Sequence, residues 1–395
     1  MKVDLSLNSI RTPGGVVSIV TREQVEQVPA WREAFVRSRK DRRYYQIVED
    51  TILQGFDYRY FAIEDPNGHV QAVQPFFILD QDLLQGSGPK VRKIVNLLRK
   101  LFPRALKLRT LMVGCAAGEG HLDHRSDDHA HWVANCLHEA LARYAKQAKA
   151  SMVVLKEFPA EYRRPLSCFS NNGYTRIPSL PMTRLNIAYG SFDEYMSKAL
   201  SKATRKDLRR KFRDAALADP IELEVVSDVT PYVDEIYPLY LNVYNRSKLQ
   251  FEKLTKEFLC RLGQEIGDKV RFFIWRQNGR AVAFSLCMTQ GDTIYDEYLG
   301  LDYSVALDLH LYFYTIRDVI QWGMKNGFKW YCSSALNYDP KRRLKCDLAP
   351  LDLYVAHTSR IANFFLRRVL PWLEPTRSDK VLREFPNYHA LWGER

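Results

Sequence analysis

The stretches FAIEDPNGHVQAVQPFF (Phe61–Phe77) and FFIWRQNGRAVAFSLCM (Phe272–Met288) decide the fold. They align without a gap: Phe61 with Phe272, Ile63 with Ile274, Asn67-Gly68 with Asn278-Gly279, and Ala72 with Ala283. Each is an apolar run, an Asn-Gly pair and a second apolar run. Asn and Gly tolerate the positive φ of a two-residue type I′ turn, so each stretch predicts a β-hairpin.

Working outward, a third apolar run follows each hairpin, then a helix and a strand. In the second copy these are Ile294–Leu301, a helix from about Leu309 to Asn326 ended by Gly327, and a buried strand at Phe328–Ser334. In the first copy they are Thr110–Cys115, a helix from about His131 to Ala148, and a strand at Ser151–Phe158. Lys146 now aligns with Lys325, out of step with the hairpins, so the first copy carries an insertion, placed at residues 83–109. The repeat predicts a tandem α/β protein, each domain a mixed β-sheet flanked by helices. Pro178 and Pro181 punctuate the join, giving an N-terminal domain at 1–185 and a C-terminal domain at 186–395. Ser191 followed by Glu194 reads as a capping box opening a basic helix that stops before Pro220.

The 395 residues suffice for two or three domains at roughly 100–200 residues each. At 46% hydrophobic and 26% charged residues, the composition excludes collagen, low-complexity disorder and a disulfide-stapled miniprotein. The formal charge of +12 favours anionic partners: phosphorylated cofactors, nucleic acid, an acidic carrier protein or lipid headgroups. Seven scattered cysteines with no C-x-x-C pair argue against a zinc site and suit a reducing compartment. The opening MKVDLSLNSIRTPGG lacks an apolar signal core, and no run approaches the roughly 20 apolar residues of a membrane span. The expectation is a cytoplasmic protein without a transmembrane segment.

Three blocks carry a family resemblance: Ser201-KATRKDLRRKF, the run from Tyr298 to Phe328, and Tyr338-DPKRRLKCDLAPLDLYV, together with the second hairpin. In these the chain resembles the GNAT acyltransferases, in their FemAB-like and cellulose-biosynthesis-associated branch. The resemblance covers residues 190–360 well and residues 45–185 weakly. It implies two tandem GNAT-like domains. It also implies transfer of an acyl group from acyl-CoA or an acyl carrier protein thioester, without a metal, to an amine or hydroxyl of a small-molecule acceptor. The branch also allows an aminoacyl-tRNA donor serving a cell-envelope precursor. A catalytically inactive module using the same basic surfaces is the reading from another class.

Amide formation needs a base for the attacking amine and an acid for the leaving group. Asp296 and Glu297 lie on one strand, and alternation sends them to opposite faces without choosing between them. Tyr338 stands where the resemblance implies a leaving-group acid. Lys341, Arg342, Arg343 and Lys345 either hold a phosphate or sit in a solvated loop. On the basic helix, Arg205 and Arg209 share a face, as do Lys206 and Arg210, and either stripe could track phosphates. Gly300 precedes the turn where the resemblance implies a pyrophosphate cradle, but Asp302 and Asp308 stand close by. The first copy offers Gly114-CAAGEGH there, which permits close approach to an anion or is a plain loop. His121, His124, His129 and His131 near Asp123, Asp127 and Asp128 match no metal-ligand spacing. Residues 83–109 carry eight basic residues and no acid, with apolar residues at helical spacing. They suit either a membrane or carrier-protein contact or a helix covering the first sheet, and Ile361–Leu373 has the same character on a smaller scale.

Overall fold

A computed structural model of the chain describes residues 8–82, 107–247, 250–377 and 379–393. The insertion at 83–109, with its expected basic amphipathic helix, lies outside them except for its last three residues, which open a strand.

The first unit is built on β1 (Ser9–Thr12), β2 (Gly15–Val20), helix α1 (Arg42–Thr51), β3 (Asp57–Glu64), β4 (Val70–Asp82), β5 (Lys107–Val113), helix α2 (Asp127–Gln147), β6 (Met152–Pro159) and β7 (Thr175–Pro178). β1 to β5 run antiparallel in sequence order, and β5 and β6, joined by a helix, run parallel. α2 turns Val133, Leu137, Ala140, Leu141 and Ala145 to the sheet, the spacing of one helical stripe. Its Tyr144 meets the stacked rings of Phe61 and Phe76 edge-on at 5.7 and 5.5 Å. Ser126 caps the helix by accepting from the His129 amide.

The second unit repeats this plan. It contains β8 (Met182–Asn186), α3 (Phe192–Ala199), α4 (Lys202–Ala216), β9 (Ile221–Val226), α5 (Val233–Arg246), α6 (Lys256–Ile266), β10 (Val270–Gln277), β11 (Arg280–Gln290), β12 (Thr293–Leu301), α7 (Leu311–Lys325), β13 (Trp330–Ser333), α8 (Tyr338–Arg343) and β14 (Asp347–Ala349). β9 to β12 are antiparallel and β12 and β13 parallel, matching β2 to β6. α7 ends at Gly327 (φ +81°), where the amides of Phe328 and Gly327 bond the carbonyls of Gly323 and Met324, as the glycine predicts. The chain closes with β15 (Leu351–His357) and α9 (Arg360–Leu373).

Three sequence expectations need correction. The Asn278-Gly279 turn is the two-residue type, with both residues at positive φ (54° and 76°) and Gln277 paired to Arg280. At Asn67-Gly68 only Gly68 is positive (φ +80°), and its amide bonds the Asp65 carbonyl. Pro66, locked near φ −65°, forces a longer turn there. Second, the basic helix is two helices: Leu200 is extended and Ser201 caps α4 through the Thr204 amide.

The third correction concerns the domain limits. The units are residues 1–179 with 351–377, and residues 180–350 with 378–395. The first sheet reads β1-β2-β3-β4-β5-β6-β15-β7 and the second β14-β8-β13-β12-β11-β10-β9. β15 lies antiparallel between β6 and β7; β8 lies antiparallel between β13 and β14. The second sheet is thus the consecutive run β8 to β14, whereas the first takes β15 from beyond its own run, so the strand after Pro350 returns to the first unit.

Candidate active site

In the second unit β12 and β13 pair only from Thr293↔Trp330 to Asp296↔Ser333. A last bond runs from the Ser334 amide to the Asp296 carbonyl, 3.1 Å. Beyond it β12 continues to Leu301 beside β11 alone, so the strands fork with Asp296 at the crotch. On the β11 side the register shifts between Leu286, opposite Tyr298, and Cys287, opposite Asp296. Glu297 is the extra residue of this bulge, a device that re-aims side chains, and it is buried.

The Asp296 carboxylate accepts hydrogen bonds from Ser285 Oγ and from Tyr331 Oη (2.7 Å). Burial pushes its pKa up; the two hydroxyls and the charge of Lys341 offset this in part. Tyr331, fully buried, has its phenol driven well above the usual range by burial and by the carboxylate. Lys341 Nζ donates to the carbonyls of Ser334 and Leu336. Burial brings its pKa down to about 8. It pins a turn in which Leu336 and Asn337 are left-handed, φ +75° and +51°.

The expected site residues separate on this frame. Asp296 and Glu297 stand at the fork. Lys341 is buried at its edge, not in a solvated loop and not on the surface as a phosphate ligand. Tyr338 is a packing residue: its Oη donates to the Pro181 carbonyl (2.9 Å), and its ring lies with Leu348, Leu382, Phe385 and Leu391. Arg342 is paired with Asp339 and Glu384, and Arg343 with Asp339. Lys345 is exposed, in a left-handed conformation, φ +61°. Gly300 serves packing: a Cβ there would meet Phe284 at 2.2 Å and the Tyr240 amide nitrogen at 2.7 Å, so glycine lets α5 lie against β12. In the following loop the amides of Ser304, Val305, Ala306, Leu309, His310 and Leu311 all bond the loop's own oxygens. Asp302 is turned inward onto Ser304 and Arg280. Sequence reasoning missed Ser285 and Tyr331; the one available signal was a lone hydroxyl inside the apolar run AVAFSLCM.

The basic face is clearest on α4. Leu208, Phe212 and Ala215 turn inward, and Phe212 meets the Arg317 guanidinium of α7, 4.7 Å from its ring centroid. Lys202, Lys206, Arg209 and Arg213 are exposed, at spacings of four, three and four, so they form one stripe about 16 Å long. Arg209 belongs to this stripe. Arg205 does not: its guanidinium bonds the Ser197 carbonyl at 2.6 Å. Arg210 is held by Asp207 and Asp214.

The corresponding fork of the first unit, after Val113 and Leu155, is filled by the chain's own loop. The Gly120 amide bonds the Glu157 carbonyl, and Lys156 Nζ bonds the Gly118 carbonyl (2.8 Å). A Cβ on Gly118 would meet Lys40 Nζ at 2.1 Å, and one on Gly120 the Lys156 carbonyl oxygen at 2.5 Å. The anion these glycines serve is Glu119, bound by Arg39, Lys40 (2.7 Å) and His121 (3.0 Å). Burial pushes this carboxyl up, but the cations outweigh it and hold it well below the usual range. Among the described residues no group of three His, Cys, Asp or Glu could hold a metal ion, and no helix is long and apolar enough to cross a membrane.

A family model described as FemAB-like, peptidoglycan biosynthesis/recognition, matches residues 115–335, more than half of the chain. No curated protein matches it. Among solved structures the chain is similar to FemX, at 11% identity over 78% of this chain and 90% of that one, TM-score 0.49. It is similar to L-PGS from Bacillus licheniformis, at 12% over 85% and 96%, TM-score 0.48. It is also similar to a tandem GNAT protein from the clavulanic acid biosynthesis pathway, at 10% over 87% and 99%, TM-score 0.47.

Proposed function

This chain belongs to the FemAB-like family, and on that premise we propose that it transfers an aminoacyl or acyl group from a polyanionic carrier to an amine of a peptidoglycan precursor. The observation that carries this reading is a forked strand pair bearing a raised-pKa carboxylate, in the unit whose α4 exposes a cationic stripe. Asp296 is the base. The amine nitrogen attacks the carrier-ester carbonyl and Asp296 takes its proton. The tetrahedral intermediate then breaks its bond to the carrier oxygen, which leaves as a hydroxyl on receiving that proton. Ser285 and Tyr331 hold the carboxylate in one orientation, and Lys341 keeps the edge of the fork in place.

An aminoacyl-tRNA fits this donor better than coenzyme A. Six amides of the loop where a pyrophosphate would be cradled are bound within that loop, whereas Lys202, Lys206, Arg209 and Arg213 form a run suited to successive phosphates. The test offers aminoacyl-tRNA, acyl-CoA and acyl carrier protein to the full chain with amine-bearing precursors, and reads the amide product by mass spectrometry. Amide formed from aminoacyl-tRNA, suppressed by rising salt, is the expected result. Transfer from acyl-CoA alone, insensitive to salt, overturns the donor assignment. No transfer from any donor overturns the enzyme reading.

A further inference from the structure

α9 is the one place among the described residues where a whole helix faces outward with its apolar side. It follows β15, is capped by Ser359 and has no fully buried residue. It is fastened to the first unit by Asn363, which donates to the Gly173 carbonyl (2.8 Å) and accepts from the His357 amide (2.9 Å). Ala362, Leu366 and Leu370 are partly buried on that same side. The other side carries Ile361, Phe364, Phe365, Val369, Trp372 and Leu373, all exposed, Ile361 and Trp372 by 75% and 76%. At 100° per residue these six span half the helix circumference.

The charges on α9 are of one sign. Arg360 and Arg367 line one flank of the apolar arc, and Arg368 lies over the Phe364 ring, 3.5 Å from its centroid. The helix holds no acid; the next one, Glu374, is buried and bonded by Thr376 and Arg377. Apart from the arginines, the outer arc offers no polar group for a protein partner to pair. An apolar face flanked by Arg360 and Arg367, with Arg368 inside the arc folded over Phe364, matches a bilayer surface, where the apolar residues enter the acyl boundary and the arginines reach anionic phosphates. At about 21 Å the helix is too short to span the roughly 30 Å core, so it lies in the plane.

We propose that α9 docks the protein onto an anionic lipid surface as a peripheral, in-plane helix. Phe365 and Trp372 are its central insertions, and Arg360 and Arg367 reach the headgroups.

The test is co-sedimentation of the full chain with vesicles of phosphatidylcholine containing about 30% phosphatidylglycerol, against vesicles of phosphatidylcholine alone. The chain is expected to sediment with the anionic vesicles and much less with the neutral ones. The triple variant Ile361→Ser, Phe365→Ser, Trp372→Ser loses at least roughly tenfold in binding at unchanged melting temperature. Arg360→Gln and Arg367→Gln each lose roughly fivefold. Leu217→Ser, which removes a lone exposed leucine of the second unit, leaves binding unchanged. The sequence carries a second basic amphipathic stretch at 83–109, so unchanged binding of the triple variant overturns the assignment to α9. Equal binding to neutral vesicles overturns the anionic recognition. A dimer in sedimentation velocity, abolished by the triple variant with no vesicle binding, makes the face a self-association surface and overturns the proposal.

Discussion

Tyr338 and Tyr331 show what a single position can and cannot reveal. Tyr338 sits where the family pattern implies an acid, yet its hydroxyl is spent on the Pro181 carbonyl inside an apolar cluster. Tyr338→Phe should therefore cost about 1–2 kcal/mol of stability and leave the single-turnover rate unchanged, read as melting temperature and rate on one sample. Tyr331 lies in an unremarkable apolar strand, and only the geometry at the fork brings its phenol to Asp296. The choice between Asp296 and Glu297 was closed to the sequence for a related reason: alternation presumes a regular strand, and the bulge opposite Leu286–Cys287 breaks it. The site's pH dependence follows from its charges. The rate should rise with pH as Asp296, its pKa raised by burial, becomes a carboxylate, and fall above about 8 as Lys341 loses its proton. Lys341→Met should flatten the alkaline limb in a pH–rate profile. Lys341 also binds its proton less tightly folded than unfolded. The wild type should therefore gain stability as pH climbs from about 8 towards the ordinary lysine value of 10.5, a gain absent in Lys341→Met.

Elements were legible where local chemistry decides them. The Asn278-Gly279 hairpin, the Gly327 stop of α7 and the Ser191 cap of α3 each depend on a few adjacent residues, and each was readable; the start of α2 at Asp127, four residues before the expected His131, was not. The break between α3 and α4 was not, because Leu200 is an apolar residue continuing the pattern and the signal was only the Ser201 cap. That break sets which cations face outward. The double variant Lys206→Glu, Arg209→Glu should weaken tRNA binding. It should also lower the slope of log affinity against log salt by about 0.7–0.9 for each phosphate the protein no longer neutralises. Arg210→Glu, at a residue already paired with Asp207, should do less. Titrations at several salt concentrations separate the two. Glycine loops were the least legible element, since glycine signals only close approach. Gly118 approaches Lys40 and Gly300 approaches α5, so Gly300→Ala should cost roughly 1–3 kcal/mol in a denaturant melt by overpacking against Phe284 and Tyr240.

At the scale of the molecule, the duplication was readable and the return of β15 to the first sheet was not. Hairpin likeness is local, whereas the placement of β8 and β15 is a choice between two chemically similar gaps, next to β13 or next to β6. A chain ending at Pro350 should leave β6 and β7 with unpaired edges and remove buried Tyr354 and Val355. At about 1.5–3 kcal/mol per buried side chain, against a total stability of roughly 5–15 kcal/mol, the first unit should then lose its cooperative transition in calorimetry. On the proposed reading the two forks also divide the labour: the first is closed by its own loop around Glu119, and the second carries the raised carboxylate of Asp296. The most direct measurement of that claim is a rapid-quench single turnover of radiolabelled aminoacyl-tRNA with an amine-bearing peptidoglycan precursor, comparing the full wild-type chain with Asp296→Asn at equal saturation. The account predicts amide formation by the wild type and a rate about 10²–10⁴-fold lower for Asp296→Asn, with the fold intact; an Asp296→Asn chain that forms the amide at the wild-type rate would contradict it.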